Sequence, residues 1–314
     1  MEKSYNKDFS RVAVILTTWN SERFFDLFPG PLLLQGIRPD QVLIVDSESK
    51  DNTVKRARSF GFCVHEIPRL EFNHGGTRAL ASTLVPWAEF LVYTTPDAIM
   101  ATPETLARVL AAFDNPEIGA AYGRQLPHHN ADLFAIHHCN CSYPSFSWVR
   151  KYADRTTFGY KTVYLSDSFT AYRRSALESV GGFPRRIIGS EDFYLGAMLL
   201  KNGWKTAYVA DSTVFHSHNQ TLVQVFRRFF DIGVMQAEQS WIREEYGSPV
   251  GAGTRFIRSE VMFLLSRNPI LIPVAILRTI AKYLGYQLGR RHQRLSHDLC
   301  MRLGNFHEYW TAQA

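Results

Sequence analysis

Residues 90–98 read FLVYTTPDA, an apolar run that stops at two threonines and is followed by a proline and a single aspartate, Asp97. The apolar part, residues 90–93, has the length and composition of a buried strand. Such a strand delivers Asp97 to the edge of a sheet, where its carboxylate is either a turn residue after proline or a ligand. One carboxylate, completed by substrate phosphates and water, is a normal way to hold magnesium.

Further apolar runs of this type occur among residues 10–125, and helical patterns alternate with them. This alternation predicts an α/β fold, with a mostly parallel central sheet and helices on both faces. In such sheets, ligands bind beyond the carboxyl ends of the strands. The predicted strands are 12–16, 42–45, 63–67, 90–93 and 120–122, and the predicted helices lie near 21–35, 51–60, 74–84 and 103–113.

The rest of the chain is less regular. Residues 126–160 are rich in His, Asn, Tyr and Pro and show no periodic pattern. Helical patterns return near 174–180, 191–202 and 220–245, and residues 206–215 are typical of a strand.

Composition limits the class of protein. The 314 residues are 46% hydrophobic, which is enough for one large domain or for a domain with an appendage. Four cysteines do not make a disulfide framework and indicate a reducing compartment. The polar N-terminal stretch MEKSYNKDFSR has no apolar signal region, so we expect no secretion.

Polar residues follow the first two predicted strands. Thr17 and Asn20 follow the first strand, and Asp46 and Ser47 follow the second. A carboxylate at position 46 faces the ligand crevice and could accept a hydrogen bond from a nucleobase or a ribose hydroxyl. Asp51, a few residues later, can be explained as an ordinary helix N-cap.

The stretch GSEDFYLGAML, residues 189–199, places two acids at the start of a predicted helix. The helix dipole favours negative charge there, which is a structural explanation for Glu191 and Asp192. The functional alternative makes one of them a general base at the crevice.

The stretch VFHSHNQT, residues 214–221, carries two histidines that point the same way on an extended chain. His216 and His218 precede a predicted helix, and this arrangement indicates a phosphate or metal contact.

A third motif, EFNHGGTRALA at residues 71–81, places two glycines and Arg78 at a predicted helix start, where they could meet an anion. A group of histidines and cysteines raises the question of zinc, but its spacing fits no usual zinc motif. Its members are His128, His129, His137, His138, Cys139 and Cys141.

The net charge of +6 is carried by residues 251–314, which hold nine Lys or Arg and three acids. The longest uncharged stretch there, residues 268–277, is too short to span a bilayer, which needs about 20 apolar residues. The apolar residues around it predict a basic amphipathic helical extension that either lies in a membrane interface or packs on the core.

Five motifs in order and spacing resemble those of the family 2 glycosyltransferases, which have the GT-A fold. They are VAVILTTWN, VDSESKDNT, YTTPDA, TAYRRSALESVGGF and SEDFYLGAML, and the resemblance covers residues 10–245. Within the family the chain looks most like bacterial rhamnosyltransferases, through FNHGGTR, GRQLP, HSHNQTLVQVFRRFFDIGV and AKYLGYQLGRR. Those enzymes use dTDP-L-rhamnose and build O-antigen or related surface polysaccharide at the cytoplasmic face of the membrane.

The resemblance implies a role for each candidate residue. Asp97 matches the last position of the metal-binding D-x-D motif for Mg²⁺ or Mn²⁺, and Thr95 stands where the first acid would be. Asp192 matches the catalytic base, with Glu191 beside it. The residues expected to bind the nucleotide or donor are Thr17, Asn20, Asp46, Ser47, Arg78, Thr95, His216 and His218.

The resemblance also implies a domain plan and a location. Residues 1–250 form a catalytic domain, with nucleotide binding near 10–125 and the acceptor and catalytic part at 126–250, and residues 251–314 associate with the membrane. We therefore expect an inverting glycosyltransferase that is cytoplasmic and peripheral on the inner face of the membrane, with a saccharide or polyprenyl-diphosphate-linked glycan as acceptor. The alternatives are a nucleotidyltransferase-like α/β enzyme and a non-catalytic nucleotide-sugar-binding subunit.

Overall fold

The structure is a computed structural model that describes residues 8–247 and 250–311. Within these residues the chain forms nine strands and fourteen α-helices, joined by loops and short 3₁₀ turns. The strands are β1 (Val12–Thr18), β2 (Val42–Asp46), β3 (Cys63–Glu66), β4 (Phe90–Thr94), β5 (Ile99–Met100), β6 (Ile118–Leu126), β7 (Trp148–Arg150), β8 (Phe169–Arg173) and β9 (Lys205–Phe215). The helices are α1 (Pro29–Leu33), α2 (Thr53–Ser59), α3 (His74–Leu84), α4 (Thr105–Ala111), α5 (Leu133–Ser142), α6 (Arg155–Phe158), α7 (Arg174–Ser179), α8 (Glu191–Lys201), α9 (Leu222–Glu238), α10 (Ser240–Tyr246), α11 (Val250–Arg267), α12 (Ile272–Gly289), α13 (His297–Leu303) and α14 (His307–Thr311).

One sheet contains all the described strands, in the order β3-β2-β1-β4-β8-β6-β9-β5, with β7 also paired to β9. Strands β3, β2, β1 and β4 run parallel to one another, and β6 is parallel to β9. Strand β8 runs antiparallel to both β4 and β6, and β5 and β7 run antiparallel to β9. The predicted α/β fold with a mostly parallel sheet is confirmed, and the reversed β8 is a feature that the apolar pattern did not predict.

The sheet has a hydrophobic core on each face. Successive residues of a strand point to opposite faces, and β1 shows this directly. Val14 and Leu16 pack in the core that includes α2 and α4, whereas Ala13 and Ile15 pack in the core that includes α3, α7 and α8. Burial on both faces explains why the central strands are continuous apolar runs.

Several predicted elements differ from the structure. The helix predicted near 21–35 is wrong: the chain forms a short 3₁₀ turn and the five-residue α1 there. Pro29, Gly30 and Pro31 disfavour a longer helix, and Phe25 and Phe28 pack edge to face instead. Residues 126–160 contain α5 and β7, which the irregular sequence did not predict.

The C-terminal extension, residues 250–311, packs directly on the preceding part of the chain. Its helix α12 lies along α9 at close range. A Cβ added to Gly285 would lie 2.4 Å from the Phe226 carbonyl oxygen, and one added to Gly289 would lie 2.0 Å from that of Phe230. Glycine is required where two backbones approach so closely. The boundary predicted at residue 250 adjoins residues 248–249, which lie outside the described part.

The outer side of α12 carries exposed apolar residues. Ile276, Leu277, Ile280 and Leu284 are each about half exposed, whereas Arg278 on the inner side is buried. Among the described residues, one helical stretch, Pro269–Gly289, is long and apolar enough to cross a membrane by length and composition.

Candidate active site

The end of β2 forms a polar pocket around the buried Asp46. Its carboxylate accepts hydrogen bonds from Thr18 Oγ1 at 2.7 Å, from the Ser49 amide at 2.8 Å and from Ser49 Oγ at 2.6 Å. The parallel pairing of β1 with β2 sets Thr18 directly opposite Asp46. Thr18, which was not among the residues predicted to bind the donor, therefore contacts the acid, while the predicted Thr17 is half-buried beside it.

Two further predicted residues join the loops that follow β1 and β2. Asn20 has a φ of +46°, its amide donates to Ser49 Oγ at 2.7 Å, and its side-chain oxygen accepts from the Lys50 amide at 2.8 Å. The buried Ser47 donates its amide to the Thr18 carbonyl oxygen at 3.0 Å. These bonds hold the two loops as one rigid rim at the carboxyl edge of the sheet.

Elsewhere along the carboxyl edge of the sheet, the structure brings together the side chains of Asp97, His216 and His218. Strand β5 pairs antiparallel with β9, with Ile99 opposite Phe215. This register places Asp97, two residues before Ile99, beside the histidines that follow Phe215. The His216 Nε2 lies 3.6 Å from Asp97 Oδ1, and the His218 Nε2 lies 3.7 Å from Asp97 Oδ2. One ligand atom from each of the three lies within 4.8 Å of the others, which is close enough to hold a metal ion.

Gln125, at the end of β6, fixes the orientation of His216. Its amide nitrogen donates to Ser166 Oγ at 2.8 Å, so its oxygen faces His216 Nδ1 at 2.9 Å and accepts a hydrogen bond from it. His216 is then protonated on Nδ1, and Nε2 presents a lone pair towards Asp97.

The electrostatics of the cluster keep both imidazoles neutral and the carboxylate charged. Burial lowers the pKa of His216 to about 4, and it also lowers the pKa of His218. Burial opposes ionisation of Asp97, but His216, the Thr95 hydroxyl and His218 outweigh it and hold the pKa of Asp97 below its usual value. Neutral imidazoles and a carboxylate are the forms that ligate metals.

Arg78, on α3, is buried among carboxylates of the chain itself. Its Nη1 lies 2.7 Å from Glu191 Oε1, and its Nε lies 3.3 Å from Asp167 Oδ2. Nη1 also donates to the His74 carbonyl oxygen at 3.2 Å. Burial opposes ionisation of Glu191, but Arg78 and His74 outweigh it and hold the pKa of Glu191 below its usual value. In this structure the guanidinium therefore offsets the charge of Glu191, the first residue of α8.

Asp192 lies beside this ion-pair network and has the properties of a base. Burial, followed by the charge of Glu191, raises the pKa of Asp192 to about 6. Its Oδ2 accepts from the Asp167 amide at 3.2 Å, and its Oδ1 accepts from the Phe193 amide at 2.7 Å. A carboxylate with a pKa close to the working pH is suited to proton transfer.

A polar chain connects the two clusters. From His216 it runs through Gln125 to Ser166, and the following residue, Asp167, donates to Asp192. The reversed β8 makes this possible, because its pairing with β4 sets the segment before β8 at the carboxyl end of β4. The sequence analysis did not single out Gln125, Ser166 or Asp167. The available signal in the sequence was their position: Gln125 is a polar residue near the end of β6, and Ser166 and Asp167 are polar residues just before β8.

The rim formed by the loops after β1 and β2 has an exposed aromatic residue that was not among the residues predicted to bind the donor. The Trp19 indole is half exposed, and the Arg69 guanidinium covers its ring at 4.1 Å from the centroid. Trp19 follows β1 directly, so its position after a strand was the available signal.

Comparisons with known proteins identify the family to which this chain belongs. Residues 11–230 match the model of the family described as Glycosyltransferase like family 2. The chain belongs to this glycosyltransferase family. The enzyme class predicted from the sequence is therefore confirmed, and the match favours it over a nucleotidyltransferase.

Two curated relatives cover nearly the whole of this glycosyltransferase. It is 40% identical over 302 residues to the O-antigen chain rhamnosyltransferase RfbN of Salmonella typhimurium, a match that covers 96% of each chain. It is 41% identical over 274 residues to the O-antigen chain rhamnosyltransferase WbaN of Salmonella anatum, covering 87% of each chain.

Solved structures share the fold of this glycosyltransferase. The mannosyltransferase PcManGT of Pyrobaculum calidifontis, in complex with GDP-Man and Mn²⁺, matches with a TM-score of 0.57 and 19% identity, over 96% of this chain and 85% of that one. TarS 1–349 of S. aureus in complex with UDP matches with a TM-score of 0.52 and 15% identity, over 90% of this chain and 91% of that one. The predicted GT-A fold is confirmed.

Proposed function

We propose that this enzyme transfers L-rhamnose, with inversion, from dTDP-L-rhamnose to a saccharide or lipid-linked acceptor in O-antigen-type polysaccharide synthesis. The sugar is inferred from the two rhamnosyltransferases that are 40% and 41% identical to it. The mechanism rests on one observation, the polar chain that joins Asp192 to the cluster of Asp97 and His216.

The proposed reaction is a single displacement with Asp192 as the base. Asp192 takes the proton of the acceptor hydroxyl while that oxygen attacks the anomeric carbon of the donor. The bond from this carbon to the diphosphate oxygen breaks, and dTDP leaves with the bonding electrons. Glu191, held by Arg78, is ionised beside the base and raises its pKa, which makes it a better proton acceptor near neutral pH.

In this proposal, donor binding is divided between the rim formed by the loops after β1 and β2 and the cluster of Asp97, His216 and His218. We assign the nucleoside to the rim formed by the loops after β1 and β2, because hydrogen bonds between these loops preorganise them. This rim carries Asp46, Ser47, Thr17 and Asn20. We assign Thr95, in the turn before Asp97, to the diphosphate side. Arg78, expected from the sequence to meet an anion of the donor, is instead assigned to the positioning of Glu191.

The residues present fit a divalent cation. Asp97, His216 and His218 offer one carboxylate oxygen and two imidazole nitrogens. Mg²⁺ prefers an all-oxygen shell, whereas imidazole suits transition metals, so this donor set favours Mn²⁺ over Mg²⁺. When bound, the cation would neutralise the charge that develops on the departing diphosphate.

We also propose that the enzyme is cytoplasmic and peripheral on the inner face of the membrane. The exposed apolar side of α12 and the net positive charge of the extension suit an anionic interface. Insertion across the bilayer is disfavoured, because the inner side of the same helix is packed on α9 through Gly285 and Gly289.

Replacing the base tests the reaction. Asp192→Asn should lower turnover at least about 100-fold, since general base catalysis contributes 10²–10⁴ in rate. The affinity for dTDP should be unchanged. The measurement is release of dTDP from dTDP-L-rhamnose, with membranes of the source organism supplying acceptor. Turnover at the wild-type rate would remove Asp192 from this role.

Replacing the carboxylate of the cluster tests the metal site. Wild-type protein should bind dTDP more tightly with Mn²⁺ than with EDTA, and Asp97→Ala should lose roughly tenfold or more of this difference. Asp211→Asn, an exposed acid on β9, is the matched control. Isothermal titration gives both affinities, and equal wild-type affinities with Mn²⁺ and EDTA would contradict the metal site.

A further inference from the structure

The C-terminal extension lies beyond residues 11–230, which match the family model, yet it contacts both clusters of the active site. One contact comes from α12 and reaches the loop that carries the two histidines. The other comes from the segment between α13 and α14 and reaches the turn that carries Asp192.

Arg278, on the inner side of α12, holds the histidine loop. Its Nη1 donates to the Gln220 carbonyl oxygen at 2.6 Å, two residues after His218. Its guanidinium lies over the Phe134 ring of α5, at 4.4 Å from the centroid. Arg278 is only 9% exposed, so this geometry is fixed by packing and not by a mobile surface side chain.

The opposite side of the same loop is tied to the segment before α5. Asn219 accepts from the Asp132 amide at 2.8 Å and donates to the Asn130 carbonyl oxygen at 2.9 Å. Arg278 contacts both the histidine loop and α5, so it holds the loop against α5 from the side of the extension. The positions of His216 and His218 therefore depend on a residue of α12.

Phe306 holds the turn in front of the base. Gly189 and Ser190, the two residues before Glu191, both have left-handed backbones, with φ of +62° and +55°. Such a conformation at a non-glycine residue persists only where the surroundings impose it. The Phe306 ring lies directly over Gly189, where an added Cβ would be 2.6 Å from its Cε2.

The contacts of Phe306 extend to the ion-pair network. Its ring meets the His74 ring edge to face at 4.8 Å, and the His74 carbonyl oxygen accepts from Arg78. The neighbouring Asn305 anchors the segment, donating to Asp231 Oδ2 from its amide at 2.9 Å and from its side chain at 3.1 Å. The Asn305 contacts thus fix Phe306 relative to α9, and its ring packs against the turn at Gly189 and Ser190.

We propose that the C-terminal extension forms part of the active site. In it, Arg278 is a positioning residue for the histidine loop, residues 216–221, and Phe306 is a positioning residue for the turn at Gly189 and Ser190 that precedes Glu191 and Asp192. The inference rests on the proposed roles of His216, His218 and Asp192. The inference predicts a different effect for each of the two residues. Arg278 acts on binding of the metal and nucleotide, and Phe306 acts on turnover.

The experiment compares matched variants of the full chain. Arg278→Gln removes the charged donor, and Arg278→Lys keeps a donor in its place. Phe306→Ala removes the ring, and Phe306→Leu keeps part of its volume. The controls are Arg302→Gln and Leu299→Ala, two exposed positions on α13. Each protein is titrated with dTDP and Mn²⁺, assayed for release of dTDP from dTDP-L-rhamnose with water as acceptor, and examined by hydrogen–deuterium exchange.

We expect opposite patterns from the two positions. Arg278→Gln should bind Mn²⁺ and dTDP roughly tenfold more weakly at unchanged stoichiometry, as is usual when a supporting partner of a ligand is removed. Faster exchange should appear at residues 216–221 alone. Phe306→Ala should keep the wild-type affinity, lose roughly tenfold or more of its turnover and exchange faster at residues 189–193 alone. The conservative variants should fall between these and wild type.

Several results would overturn the inference. A general structural role would lower the binding stoichiometry and speed exchange at both segments in both variants. Wild-type affinity and exchange in Arg278→Gln, or in Arg278→Lys if the former does not fold, would remove Arg278. Unchanged exchange at residues 189–193 in both Phe306 variants would remove Phe306. Absence of Mn²⁺-dependent dTDP binding in the wild type would instead contradict the proposed function, while the exchange comparison would still test the positioning.

Discussion

At Asp192, the proposed chemistry depends on a difference between neighbouring acids. Arg78 holds Glu191 ionised, and burial together with that charge raises the pKa of Asp192. Two carboxylates that are adjacent in sequence thereby obtain different properties from their surroundings. The sequence shows two acids at a helix start, and only the buried guanidinium distinguishes them.

The pH dependence of turnover should report this arrangement. Asp192 must be ionised to accept a proton, and its pKa lies at about 6. The rate at saturating donor should therefore rise tenfold per pH unit below this value and level off above it. The measurement is the initial rate of dTDP release between pH 4.5 and about 8.5, a range chosen to bracket that value.

Glu191→Gln is the matched change for this profile. The charge of Glu191 raises the pKa of Asp192, so its removal should move the acidic limb to lower pH. A limb at the same pH in both proteins would show that Asp192 is not the titrating group.

At the level of elements, the contact between α9 and α12 depends on glycine. Gly233, Gly285 and Gly289 let the two backbones meet where any Cβ would overlap a main-chain atom. The Arg278 contact with the histidine loop depends on this packing, because α12 must lie close to α9 for the guanidinium to reach Gln220.

Gly285→Ala should destabilise the protein. The added Cβ would lie 2.4 Å from the Phe226 carbonyl oxygen, and overpacking of this type costs about 1–3 kcal/mol in free energy of unfolding. Urea unfolding followed by circular dichroism measures the change.

Gly253→Ala, in α11, is the control for helix propensity. A Cβ there meets nothing within 4 Å, and alanine should stabilise the helix by about 0.5–1 kcal/mol. Equal unfolding midpoints for the two variants would contradict the close approach of α9 and α12.

At the level of the whole molecule, charge and apolar surface are segregated. The first 250 residues hold equal numbers of basic and acidic residues, and the extension carries the entire net charge of +6. The exposed apolar residues of α12 lie on the same extension. Both features support the proposed membrane contact on the side of α12 that faces away from α9.

Ile276→Ser with Ile280→Ser should release the protein from anionic vesicles. Burying an isoleucine side chain is worth about 1.5–3 kcal/mol, so the pair should lower partitioning at least about tenfold. Sedimentation with vesicles of phosphatidylglycerol and phosphatidylethanolamine, against phosphatidylcholine alone, measures the bound fraction.

Leu34→Ser, at a position that is 71% exposed next to α1, is the control for apolar surface elsewhere. Pelleting of the double variant at the wild-type level would exclude the outer side of α12 as the membrane contact.

The accuracy of the sequence-based predictions varied with the range of the interactions involved. Helix α3 occupies its predicted residues 74–84, because its periodic pattern is local. The helix predicted at 21–35 failed where prolines and aromatic contacts outweighed periodicity. Asp167 and Gln125 could not be predicted as site residues, since their roles come from partners far along the chain.

By itself, the sequence determined the two-sided core and the type of chemistry at the strand ends. Continuous apolar runs must be buried on both faces, and the polar residues that follow them must meet at one edge of the sheet. Only the tertiary structure decided which of those residues meet. Asp97 lies beside His216 because β5 pairs antiparallel with β9, and Arg78 meets Glu191 because α3 packs next to the start of α8. These are contacts between segments more than 100 residues apart, set by the packing of whole elements and not by any local pattern.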